Sequence, residues 1–331
     1  MTENELREKI ELYTRACPSG SLQIFSDTTQ FMEIGPGALL EISGRHYYVY
    51  GEETEGRFGI DDQPKFWVKR VLDLADGSRK IVKLAFLESF VLNIGDFRIT
   101  CYRSPAKEAR VLDLTRGDIR FMQGFSAFDS AQNLVRVLDR ILGKSLYAYI
   151  NSLQEDHKTY FFNIFPRLFP QLVSVVQALS RLHAAGEIHG DMRNDHVFLD
   201  REAGVWRLID FDYAYDRTES PFAMDLYGLG NVLLFATGKG FFQLNNLTAC
   251  LPRGFSGTLC LEPEDFSLFF AHRIMNLRKI FPYIPESLND ILLHFSEGAR
   301  YFYERADEVL ADLLACAKDL PPAKDKEAAR E

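Results

Sequence analysis

The chain has 331 residues, enough for one large domain or two medium ones around a substantial core. Its hydrophobic fraction of 47% and charged fraction of 26% are ordinary for a globular protein, and a net charge of -9 argues against broad nucleic-acid binding, which needs a basic surface. Five well-separated cysteines (Cys17, Cys101, Cys250, Cys260, Cys316) without a CxxC pair, an N-terminus lacking a signal-peptide apolar region, and a longest apolar run near 226–237 broken by Gly228, Gly230 and Asn231 predict a cytoplasmic protein with no membrane span.

In chain order, residues 2–16 form a predicted helix stopped by Cys17-Pro18, followed by a polar stretch to about Gly37. The pattern then turns to strands at 45–50, 66–74 and 79–86, the last two joined by a hairpin turn at Ala75-Asp76-Gly77-Ser78. Ser104 suits an N-cap and Pro105 a first turn, so a helix is expected there, and β-like runs follow at 120–128 and 133–142. After Gly143 the period becomes helical, at 145–153 and from 165 to about 185. A β-like island covers 188–212, residues 225–318 are expected to be mostly helical, and the charged, proline-containing tail 319–331 is expected to be disordered. A strand-rich half followed by a helix-rich half predicts an α+β fold in two lobes with a cleft between them.

The chemistry concentrates in His189-Gly190-Asp191-Met192-Arg193-Asn194-Asp195-His196, followed by Trp206-Arg207-Leu208-Ile209-Asp210-Phe211-Asp212. Phosphoryl transfer needs one carboxylate to orient the attacking hydroxyl and another to hold a metal on the phosphates. Taken alone, either aspartate would read as a helix cap or turn residue, and His189 as a packing residue of its loop. Together and in this order, the segments resemble the HRDxxxxN or HGDxxxxN catalytic loop and the DFG or DFD metal motif of the protein-kinase-like superfamily.

That resemblance extends over about residues 45–315 and implies a bilobal protein-kinase-like fold. It divides the chain into an N-terminal extension (1–33), a small antiparallel β N-lobe (34–141), a mainly helical C-lobe (142–318) and the tail. By the same resemblance Asp191 is the catalytic carboxylate and Asp210 the metal carboxylate, while Lys83 contacts the α- and β-phosphates with Glu108 as its ion-pair partner. Glu88 is the competing partner, but it lies five residues from Lys83 and would share its strand. Gly56-Arg57-Phe58-Gly59 resembles the second half of a phosphate loop, although both glycines read equally well as a turn. Leu138 would be the gatekeeper, the backbone of Asp139 and Ile141 would pair with adenine, and Ile81 and Phe198 would sandwich the base. Asp225 resembles the aspartate that anchors the catalytic loop from a central helix. Arg193 would either neutralise the transferring phosphate or sit exposed on its loop.

Three departures shape the expectation. His196 stands where the family has an asparagine ligand for the second metal; a neutral imidazole can bind Mn²⁺ or Zn²⁺, whereas Mg²⁺ prefers oxygen, and the alternative role for His196 is a packed or hydrogen-bonded residue. Asp212 replaces the glycine of the metal motif, and only fifteen positions separate Asp210 from Asp225, with no APE sequence between them. The implied function is an ATP-dependent phosphotransferase using Mg²⁺ or Mn²⁺, acting on protein Ser/Thr or a small hydroxyl compound. The alternative is a pseudokinase that binds nucleotide or serves as a scaffold.

Overall fold

Helix α1 (Glu3–Thr14) starts at a reciprocal cap, in which Thr2 Oγ1 accepts from the Glu5 N–H and Glu5 accepts from the Thr2 N–H. It ends at Thr14, three positions before Cys17, because Arg15 turns into the left-handed region at φ 59° and its N–H closes on Glu11 O. In this computed structural model the described residues are 1–16, 20–57, 60–94, 97–216, 220–245, 259–270 and 272–323. They mix helices with antiparallel strands, an α+β arrangement, and divide into two compact units. The first comprises Met1–Ser89, Tyr102–Asp118 and Met122–Ile141; the second comprises Phe90–Cys101, Ile119–Phe121 and Leu142–Glu331.

The first unit is built on β1 (Ile24–Phe25), β2 (Leu39–Ile42), β3 (Arg45–Arg57), β4 (Ile60–Asp73) and β5 (Arg79–Lys83). After the intervening β6 (Ser89–Ile94), β7 (Phe97–Arg103) and helix α2 (Pro105–Leu114), it is completed by β8 (Gly124–Phe128) and β9 (Leu134–Asp139). The sheet order is β1-β2-β3-β4-β5-β9-β8, with β1 parallel to β2 and the remaining pairs antiparallel. One face buries Leu40, Tyr47, Val49, Val71, Val82, Val135 and Val137 in a common core. Beside it α1 sets Leu6 and Ile10 against Leu39 and Leu74, so residues 1–33 begin as part of this unit. Gly77 lies under the Tyr13 ring with φ 77°, and a Cβ there would come within 2.6 Å of the ring.

Strands β3 and β4 run further than the sequence reading had them. The acidic residues just before Gly56 find cross-strand cations, with Glu52 opposite Lys69 and Glu53 opposite Lys65. Glu52 closes on the buried Lys69 Nζ at 2.5 Å. Register shifts at Val49/Gly51, Glu52/Glu53 and Glu55/Arg57 absorb the added length.

In the second unit, β10 (Gly143–Ser145), β11 (Val197–Asp200) and β12 (Val205–Leu208) form one small antiparallel sheet, and β13 (Tyr213–Tyr215) joins β7 and β6 in another. Around them lie α3 (Leu146–Asn151), α4 (His157–Asn163), the long amphipathic α5 (Phe165–Ala184), α6 (Ala223–Gly238), α7 (Glu286–Leu293) and α8 (Ala306–Cys316). Helix α6 is apolar on nearly all sides and correspondingly buried, whereas α5 packs on α8 and on β12.

The expectation of a mostly helical stretch over 225–318 is corrected here. Between Lys239, which ends α6 in the left-handed region, and Pro285, the described backbone has 3₁₀ turns at Pro263–Asp265 and Leu277–Lys279 and isolated bridges such as Gln243 with Arg273. Pro263, Pro282 and Pro285 cut the helical ladder, and Asp265 takes over local donors through the Glu262 N–H and Asn276 Nδ2. Residues 324–331 of the tail lie outside the described residues. Among the described residues, no helix is long and apolar enough to cross a membrane.

Candidate functional site

In the first unit, cross-strand register places Lys83 of β5 directly opposite Arg136 of β9. Two cations so placed repel each other unless an anion joins them. The anion comes from α2, whose start is fixed by Ser104 accepting from the Lys107 N–H and by Pro105 in the first turn. Glu108 is fully buried, accepting from Lys83 Nζ at 2.7 Å on Oε1 and from Arg136 Nε at 3.0 Å on Oε2. Arg136 Nη1 also donates to the Leu84 and Leu134 carbonyls. The expected Lys83–Glu108 pair is therefore present, and Glu88 instead receives Arg103 Nε at 2.9 Å.

Arg136 was missed. A Val-Arg-Val alternation reads as a strand with one wet face, yet β9 is buried on both, and a cation there requires a partner. Leu138 is buried opposite the half-buried Ile81, while the Asp139 N–H donates to Gln123 O and its carboxylate pairs with Lys80 at 2.5 Å. Any ligand meeting the Asp139 backbone would have to do so through its carbonyl. Half-buried Ile141 closes the unit's last segment. Gly56 falls on the Glu55/Arg57 bulge of β3, and Gly59 lies outside the described residues.

The second unit gathers the other group around the first turn of α6. Asp225 is fully buried and accepts from the His189 N–H at 2.6 Å and His183 Nε2 at 3.1 Å on Oδ2, and from the Gly190 N–H at 2.8 Å on Oδ1. Charge-assisted bonds of this kind contribute about 1.5–3 kcal/mol each, so one carboxylate fixes the whole 189–191 turn. Gly190 adopts φ 87°, a conformation that a side chain at this point would oppose. Helix α6 also comes close to the loop: a Cβ on Gly228 would stand 2.1 Å from Met192 O. The His189 ring is buried against Phe211, and its Nδ1 accepts from the Asp191 N–H at 3.3 Å, which is the packing role expected for it.

The β11–β12 hairpin then explains why His196 and Asp210 meet. Val197 pairs with Leu208, and the Ile209 N–H donates to His196 O, so the residue entering one strand and the residue leaving the other share one end of the hairpin. Asp210 leaves with φ 68°. His196 Nδ1 lies 2.8 Å from Asp191 O and 3.4 Å from Asp191 Oδ2, and Nε2 lies 3.6 Å from Asp210 Oδ2. A carbonyl oxygen only accepts, so Nδ1 carries the hydrogen and a neutral ring turns its Nε2 lone pair toward the Asp210 carboxylate.

Among the described residues no cluster of three or more His, Cys, Asp or Glu side chains could hold a metal. His196 Nε2 and Asp210 Oδ2 are two potential donors on one side, short of such a cluster. Arg193 pairs with Asp195 at 2.7 Å; burial works against its charge, but Asp191, Asp195 and Asp210 outweigh that and hold the guanidinium more firmly protonated. Burial, with Asp191 adding to it, pushes the Cys101 thiol up and away from reactivity. Phe198 is half-buried on β11, opposite Arg207. No protein-family model matches this chain, and no curated protein matches it.

Proposed function

We propose that the chain is a protein-kinase-like phosphotransferase that passes the γ-phosphoryl group of ATP to a hydroxyl. The observation that carries this reading is that Asp191, held by the Asp225-anchored 189–191 turn, and Asp210, leaving the β11–β12 hairpin, lie on opposite nitrogens of one imidazole. The buried Lys83–Glu108–Arg136 group supports it, since a lysine held by a buried carboxylate is a fixed cation suited to phosphate oxygens.

In this reading Asp191 accepts the hydrogen bond of the acceptor hydroxyl and aligns its oxygen for in-line attack. Lys83 binds the nucleotide phosphates, Glu108 orients Lys83, and Arg193 offsets charge on the group in transfer. Bound at Asp210 and His196, Mn²⁺ or Mg²⁺ would supply Lewis-acid stabilisation of the phosphate oxygens. In the first unit, Leu138, Ile81 and the backbone at Asp139 and Ile141 would contact adenine.

ADP release in the presence of Mn²⁺ or Mg²⁺, compared between the parent chain and Asp191→Asn, tests the assignment. The expected result is a loss of about 10²–10⁴-fold in turnover with nucleotide-induced thermal stabilisation retained. Wild-type turnover in the variant would sink the role of Asp191. His196 in the asparagine position favours a second reading, a nucleotide-binding pseudokinase, whose signature is thermal stabilisation by nucleotide with no ADP formed under either metal.

A further inference from the structure

The second unit contains a cavity of about 620 Å³, and Asp191 and Arg193 are on its wall together with Tyr227, Phe241, Phe270 and Arg273. Arg193 is already paired with Asp195. Arg273 is not paired in this way. Its guanidinium carbon lies 4.0 Å from the ring centre of Phe241 and 3.9 Å from that of Phe270, and its Nη1 donates to Asn231 Oδ1 at 2.5 Å. Its Nε has no hydrogen-bond partner, and no carboxylate among the described residues pairs with the group. Burial without an anion pulls its pKa down to about 10, which still leaves it charged at neutral pH.

A half-buried cation of this kind is costly to maintain. Two ring faces and one amide oxygen offset part of its lost hydration, and an anion arriving in the cavity would offset the rest. The volume lies in the range that encloses a small molecule, and the aromatic wall suits the flat face of a ring.

We propose that this cavity is the acceptor site, and that it takes a small hydroxylated ring compound bearing a carboxylate or phosphate. The anionic group meets Arg273, the ring lies on the aromatic wall, and the hydroxyl reaches Asp191. The transfer step rests on the phosphotransferase reading above. The acceptor oxygen bonds to the γ-phosphorus of a nucleoside triphosphate as the bond from that phosphorus to the β–γ bridging oxygen breaks. The hydroxyl proton passes to the Asp191 carboxylate and then to water, and a phosphate monoester and a nucleoside diphosphate leave. A protein side chain without an adjacent anion meets only part of this chemistry, so the small-molecule acceptor is the one favoured.

The test uses matched acids and amides: 3-(hydroxymethyl)benzoate with 3-(hydroxymethyl)benzamide, and glucuronate with glucuronamide. Binding is followed by saturation-transfer NMR and transfer by phosphate-ester formation, on the full chain and on Arg273→Met and Arg273→Lys, each first checked for folding by thermal unfolding. The acids are expected to bind and react at least about tenfold better than their amides, the worth of one charged hydrogen bond. Arg273→Met is expected to erase that preference and Arg273→Lys to keep part of it. Amides used as well as acids, or an acid preference untouched by Arg273→Met, overturn the proposal even where Asp191-dependent ADP release persists. Arg273-dependent acid binding without any nucleotide turnover would uphold the anion site and fail the phosphotransferase reading instead.

Discussion

Glu108 stands between two cations and serves them unequally. Lys83 donates to one carboxylate oxygen, and Arg136 donates to the other and to two backbone carbonyls besides. Replacing Glu108 with Gln removes the buried carboxylate that two cations share, and the expected loss is about 3–5 kcal/mol in urea unfolding. Lys83→Met is expected to cost clearly less, because Arg136 still neutralises Glu108. Equal losses for the two would show that the three groups do not form the unit described. The pairing of Lys83 with Glu108 was expected from the family resemblance, with Ser104-Pro105 marking the start of the helix that carries Glu108. The third member was not, because a single sequence does not say that β9 is covered on both faces.

At the scale of elements, α4 is tied down by one histidine. His157 stacks on Phe281 with ring centres 3.5 Å apart, and its Nε2 lies 3.0 Å from Thr237 O at the end of α6. Nε2 must therefore donate, leaving Nδ1 to accept from the Tyr283 hydroxyl at 2.7 Å, an arrangement that requires the neutral ring. Burial lowers its pKa to about 4, below the value near 6.5 of the unfolded chain. Because the folded pKa is the lower one, the unfolded chain takes up the proton first. Stability is unaffected above pH 6.5 and falls as pH drops from about 6.5 to 4, by about 3 kcal/mol in all. His157→Gln is expected to flatten that part of the stability–pH curve, measured by thermal unfolding at each pH. An unchanged slope would place the acid sensitivity elsewhere. The same region shows where sequence pattern fell short: apolar residues between 239 and 285 look helical in composition, but prolines and side-chain caps divide them into turns. The strand-to-helix change after Gly143 and the long α5 were plain because their periods run uninterrupted.

For the whole molecule, the boundary expected near residue 141 is where the first unit's last segment ends, yet the chain does not cross it only once. Residues 90–101 and 119–121 belong with the later part, through the β13-β7-β6 sheet, the Ile99, Cys101 and Tyr215 cluster with Ile188 and Met224, and the Phe121–Leu208 bridge. Local periodicity carries no information about such returns, which are set by pairing between distant segments. A fragment starting at Leu142 would lack those partners and expose Ile188, Tyr215 and Met224. It is expected to melt at least several degrees below the full chain or to aggregate, whereas a fragment melting as high as the intact protein would show that the early segments are dispensable.

The pairing of Asp216 with Thr100 also bears on how the protein is made. As the ribosome releases the chain, β6 and β7 emerge with their far edge unmatched, and α2 through α5 must all be synthesised before β13 arrives to cover it. That interval gives the nascent protein a sticky strand edge until a long-range closure covers it, the period in which a holding chaperone would be of most use.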